Sequence, residues 1–401
     1  MVTYPSEWKE KALGDFISIG RGASPRPIES FLTSSPDGVN WIKIGDAPKY
    51  GMYITRTAER ITPAGAIRSV RVHAGDFILS NSMSFGRPYI LKTDGCIHDG
   101  WLRLYDYNET VDRDFLFYVL ASDETKKQYV AYAAGSGVQN LNKDVVKKVI
   151  VHLPTIKEQK AIAASLSSFD EYISDLAALI EKKKAIREGA VADLMTGKTR
   201  LAGYTAPWAS DTLGAIGTFT KGAPLSKAAI TETGTPFILY GELYTTYGEV
   251  TYVVHRHTKQ NAPADCISRV GDVIIPTSGE TADEIATACC VMVPGVILAG
   301  DLNIYRAPEM DGRFISHVIN HVINRKIAEV AQGISIIHIN AKVLGKMAIS
   351  YPQREEQSAI ADVIDKMDTE IRSLEAEREK MIQIREGAMN DLLTGRVRLS
   401  L

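Results

Sequence analysis

One stretch of this chain occurs twice. PTIKEQKAIA at residues 154–163 returns as PQREEQSAIA at 352–361, and the two copies then stay in register without a gap at an offset of 198 (352 against 154). IREGA at 186–190 falls on IREGA at 384–388, and DLMTGKTRL at 193–201 falls on DLLTGRVRL at 391–399. About half of the aligned positions are identical, and a run of that length marks a duplicated structural unit. The preceding parts match more weakly. Trp8, Leu13, Gly14 and RGA at 21–23 pair with Trp208, Leu213, Gly214 and KGA at 221–223. AGDFILS at 74–80 resembles VGDVIIP at 270–276, and GSGVQNLN at 135–142 resembles GISIIHIN at 333–340.

The repeated segment has the pattern of a long helix. Thr155 and Glu158 have capping-box spacing, and Ile162, Leu166, Phe169, Ile173, Leu176 and Ile180 follow in alternating steps of four and three. The second copy gives Ile360, Ile364, Met367, Ile371 and Leu374. This is a coiled-coil seam, and each helix is expected to stop at Thr196-Gly197 or Thr394-Gly395. A seam that long needs a partner. The other copy in the chain supplies it, and a pseudo-two-fold relation between the halves favours antiparallel pairing. Gly189 and Gly387, matched inside IREGA, each cost a helix about 1 kcal/mol, which suggests a kink or a close helix crossing. Before each helix, short β-rich runs near 40–44, 76–79, 237–240 and 272–275 alternate with turns, and helical patterns appear near 113–121 and 313–329. The expected order is a first α/β (α+β) globular domain at 1–152, a spacer helix at 153–203, a second globular domain at 204–350 and a second spacer helix at 351–401.

Several function classes drop out. The 401 residues suit two to four domains, and no apolar run is long enough for a membrane span. With no secretion signal at the start, a cytoplasmic protein without membrane contact is expected. Cys96, Cys266, Cys289 and Cys290 have no zinc-finger spacing, so reduced, buried thiols are expected. No P-loop, no GxGxxG opening a βαβ unit and no amino-methyltransferase tetrapeptide is present. His317 and His321 lie one helical turn apart but lack the glutamate of HExxH, so no metal site is expected. No catalytic residue emerges either. The formal net charge of −2 argues against a DNA binder that works unaided.

Two divergent globular domains, each followed by a helix opening LP-x3-EQ-x-AIA and closing D-L-[LM]-TG-[KR]-x-RL, resemble the specificity subunit of type I restriction–modification systems. The marks are Leu153, Pro154, Glu158, Gln159, Ala161, Ile162 and Ala163, then Pro352, Glu356, Gln357, Ala359, Ile360 and Ala361, with Tyr351 in place of the first leucine. The resemblance implies a non-catalytic subunit. Its globular target-recognition domains each bind one half of a split, asymmetric site in double-stranded DNA, while its helices set the gap and dock two methyltransferase subunits. It also implies restriction/translocase subunits in the larger assembly, and no cofactor in this chain, S-adenosylmethionine belonging to the methyltransferase. Shared phosphate contacts then account for the near-neutral charge. A coiled-coil scaffold that binds no DNA is the alternative.

Base readout calls for Arg, Lys, Asn, Gln, Ser and Thr on loops that enter a groove. In the first domain these are Arg21, Ser24, Arg26, Asn81, Ser82, Ser84, Arg87, Gln139 and Asn140. In the second they are Lys221, Lys227, Thr277, Ser278, Glu280, Thr281, Ser335, His338 and Asn340, with Glu280 able to accept from a cytosine amino group.

Overall fold

The computed structural model describes residues 3–48, 51–81, 86–107, 109–133, 141–331 and 337–399. Packing divides the chain into two compact units, Met1–Ala178 with Glu375–Leu401, and Leu179–Leu374. Each therefore holds a globular part together with portions of both long helices, Ile156–Met195 and Arg354–Leu393.

The first unit is built on a five-stranded sheet in the order Ser18–Arg21, Trp101–Tyr105, Phe77–Ser80, Pro88–Leu91, Tyr53–Ile54. The second unit has the same order in Thr218–Lys221, Leu302–Arg306, Asp272–Pro276, Cys289–Val291, Val250–Thr251. Both sheets end on a parallel pair, Tyr53 with Ile90 and Val250 with Cys290. A further sheet accompanies each. Glu59–Ile61, Val39–Ile42, Gly95–Ile97 and Val70–Val72 form it in the first unit, and Arg256–Thr258, Thr235–Leu239 and Ile297–Ala299 in the second. The central strands FILS and DVIIP are buried along their whole length. The helical pattern near 113 is the helix Arg113–Ala121. The one near 313 is three consecutive pieces, Gly312–Val318, a π turn at Ile319–Ile323, and Asn324–Val330.

The seam residues divide between two settings. Ile162 and Leu166 pack into the first unit's core with Met389, Leu392, Leu393 and Phe115. Ile360 and Ile364 pack into the second unit's core with Val191, Leu194, Met195 and Phe314. Leu176, Ile180 and Ile371 are buried, while Phe169, Ile173, Met367 and Leu374 are half-buried. In the first unit Glu158 bonds Arg398, Asp170 bonds Arg385 and Tyr172 bonds Glu377, so the two helical segments run in opposite directions. In the second unit Lys183 meets Glu370 at 2.6 Å and Arg187 meets Asp368 at 2.7 Å.

The motifs EQ and RL prove to be two halves of one lock. Buried Glu158 takes a two-pronged contact from Arg398, and buried Glu356 takes the same contact from Arg200, at 2.6 Å on each oxygen. Each guanidinium also lies 5.8 Å from an indole, Arg398 over Trp8 and Arg200 over Trp208. Gln159 and Gln357 accept from the backbone N–H of Asp112 (2.8 Å) and Asp311 (2.9 Å), tying each helix to its globular domain. Gly197 (φ +68°) and Gly395 (φ +70°) turn the chain out of the helices in the left-handed region, where glycine carries no Cβ penalty.

Two expectations need correction. Only half of the capping box forms. The Glu158 N–H donates to Thr155 Oγ1 (3.3 Å), but the Glu158 carboxylate is held by Arg398. Gly189 and Gly387 mark no close crossing, since a Cβ at either would meet nothing within 4 Å and both long helices are continuous there.

Candidate nucleic-acid interface

In the first unit four of the proposed readers converge on one turn. His98-Asp99-Gly100 links the strands Gly95–Ile97 and Trp101–Tyr105, and the Gly100 N–H donates to His98 Nδ1 at 2.9 Å. The Asp99 carbonyl accepts from Arg21 Nε (3.0 Å) and from Asn81 Nδ2 (2.9 Å). Its carboxylate accepts from the Ser24 hydroxyl and from Arg26 Nη2 at 3.4 Å. The Ser24 hydrogen bond, with the nearby His98 and Arg26, holds the Asp99 carboxyl below its ordinary range even though partial burial opposes this. Burial lowers the pKa of His98. RGA contains a glycine because a Cβ at Gly22 would sit 2.2 Å from the His98 carbonyl oxygen. The Arg26 side chain is 80% exposed and reaches into solvent, whereas Asn81 is buried. The Arg87 guanidinium stacks on Tyr89 at 5.3 Å. Ser82, Ser84, Gln139 and Asn140 lie outside the described residues.

The corresponding edge of the second unit is a cleft of about 1110 Å³ lined by Lys221, Lys227, Thr277, His338 and Asn340, with Tyr240, Asp301 and Asn303. The backbone equivalence is direct. Asn81 N–H donates to the Gly100 carbonyl as Thr277 N–H does to that of Asp301, and Leu141 N–H reaches Asn81 as Ile339 N–H reaches Thr277. Lys221, Lys227 and His338 are exposed. Ser278 is buried, paired with His338 across two short strands, and its hydroxyl donates to Asp301 (3.0 Å). Asn340 caps the helix Ala341–Leu344, accepting from the Val343 N–H at 3.1 Å, as Asn142 caps the helix Lys143–Lys147. The exposed Glu280 and Thr281 both donate backbone N–H groups to the Glu284 carboxylate. Ser335 lies outside the described residues.

Three groups escape a reading by residue type. Asp99 organises the first cluster, yet it lies on a turn that no motif marks. Asn303 sits in a strand and has a buried amide nitrogen without a hydrogen-bond partner. Glu249, distant in sequence from His317 and His321, contacts both of their rings.

Comparison with known proteins points to one family. Residues 5–186 match the family model for the type I restriction modification DNA specificity domain. Over that stretch, the first globular domain and most of the first long helix, the chain is similar to the type I restriction–modification specificity family. The MjaVIII type I restriction enzyme specificity subunit of Methanocaldococcus jannaschii is 21% identical over 98% of this chain and 94% of its own length. The putative MjaX specificity subunit of the same organism is 24% identical over 98% and 95%. Among solved structures, the type I restriction-modification S subunit from M. genitalium superposes with a TM-score of 0.59 at 17% identity, covering 98% of this chain and 96% of that one. A chain from work on complex assembly and conformational transition of the type I system gives 0.61 at 16%, covering 99% and 100%. Both share their fold with this chain. No helix among its described residues is long and apolar enough to cross a membrane.

Proposed function

We propose that this specificity subunit reads a bipartite, asymmetric site in double-stranded DNA, one globular domain for each half. The observation that carries the reading is one sheet topology bearing two chemistries at the same edge. Arg21, Ser24 and Arg26 gather around Asp99, whereas Lys221, Lys227, Thr277 and His338 line an open cleft. A shared frame holds each edge at the same place on its domain, and the differing donors and acceptors give unequal half-sites. Ser278 and Asn340 are engaged internally and act as supports.

The long helices pair as an antiparallel coiled coil that sets the unread gap. They also dock two methyltransferase subunits. Support comes from matched surface features on the two copies, Ile186 (49% exposed) with Gly189 and Ile384 (42%) with Gly387. Isoleucine and glycine three apart lie on one face of a helix. An exposed apolar side chain beside a bare backbone suits a helix of another subunit, and having it twice suits two copies. The chain itself performs no catalysis. S-adenosylmethionine resides in the methyltransferase, and restriction/translocase subunits join the complete assembly.

Co-expression with the cognate methyltransferase, followed by genome-wide mapping of methylated adenines, tests this reading. A two-part motif with an unspecified gap is expected. Methylation along one continuous motif, or none in a complex that assembles, contradicts it.

A further inference from the structure

The second unit places a carboxylate and two imidazoles around one point. His317 lies in the last turn of the helix Gly312–Val318, and His321 lies within the π turn Ile319–Ile323 that follows. Glu249 comes from the residue before the edge strand Val250–Thr251. Glu249 Oε2 lies 2.9 Å from His317 Nδ1, and Oε1 contacts His321 Nε2. The candidate ligand atoms of the three residues all lie within 4.8 Å of one another, the one such group of three or more among the described residues.

We propose that Glu249, His317 and His321 bind a divalent transition-metal ion of the zinc class. Two imidazole nitrogens and one carboxylate oxygen are a ligand set this class favours, with bonds of about 2.0–2.2 Å, whereas magnesium and calcium take oxygen donors. The two rings, four residues apart across the junction of the helix and the π turn, both reach the Glu249 carboxylate, and π turns are frequent at functional sites. His317 is fully buried while His321 and Glu249 are partly exposed, at 28% and 22%. The ion thus has a route in from solvent and a water-accessible fourth position. Arg187 contacts Glu249 Oε2 and is itself held by Asp368 at 2.7 and 3.1 Å. One guanidinium against two carboxylates leaves a net negative charge for the cation to neutralise, and Arg187 fixes the carboxylate from outside the ligand set, as groups behind metal ligands commonly do. Bound there, the ion fastens the edge strand to the π turn. Through Arg187 it also stiffens the seating of the second globular domain on its long helix. The site is independent of the DNA-reading proposal.

The full-length chain, freed of any affinity tag and stripped by chelator, is titrated with Zn²⁺ by equilibrium dialysis and metal analysis. One ion per chain and a raised thermal midpoint are expected. His321→Ala, at a surface position, weakens binding at least about tenfold and abolishes the thermal shift, while His338→Ala in the cleft leaves both unchanged. Glu249→Gln, close in shape, weakens binding as His321→Ala does, and circular dichroism verifies that the variants are folded. No binding to the wild type at micromolar zinc, or undiminished binding by folded His321→Ala, overturns the assignment.

Discussion

The two globular domains share a strand order and a helix lock but not the chemistry of the edge proposed to read DNA. At the first edge an acid organises the donors, so that Arg21, Ser24, Arg26 and Asn81 all lean on Asp99. At the second, Ser278 donates to Asp301 while Lys221 and Lys227 stand exposed at the cleft. Preorganised arginines suit bidentate contacts with guanine, whereas exposed lysines act as point charges for phosphates. Duplication preserved what must be equal, the lock that seats each helix, and released what must differ.

Breaking the shared part gives the largest effect. Glu356→Ala, and equally Glu158→Ala, removes a buried carboxylate from a two-pronged arginine contact, and the thermal midpoint falls by about 5 °C or more. Unequal losses at the two sites would show that the locks are not equivalent. Next come the edges. Arg21→Ala weakens specific binding of the assembled complex by about tenfold, near the lower end of what one bidentate base contact contributes, and relaxes the methylation motif in one half only. Lys227→Ala is expected to act differently, weakening binding evenly across sequences and reducing the salt slope by about 1. Competition titrations at several salt concentrations separate the two cases. The smallest effect belongs to Gly189→Ala. With nothing within 4 Å of the new Cβ, the isolated chain gains about 0.5–1 kcal/mol in denaturant titration, while methyltransferase docking weakens if a partner helix packs there.

Much of the architecture was legible because the duplication wrote it twice. The seam from Ile162 to Ile180, the glycine stops and the matched strands all follow from periodicity and turn chemistry. The sequence does not reveal that Ile162 and Leu166 belong to a globular core, because an apolar helical stripe looks the same against a helix or a sheet. Pairings distant along the chain were equally hidden. Glu158 looked like a capping residue until Arg398 arrived from the other end of the chain. His317 and His321 looked like an incomplete motif until Glu249 completed the group. At the edges, residue type alone does not separate Arg21 and Lys227 from Ser278 and Asn340, since turn and cap residues share their chemistry with base readers.

The central claim, one domain for each half of the target, is tested most directly by exchanging residues 1–152 for those of another family member and mapping adenine methylation by the co-expressed complex. The account predicts a motif in which one half changes while the other half and the gap stay fixed. A motif altered in both halves, or in neither, would contradict it.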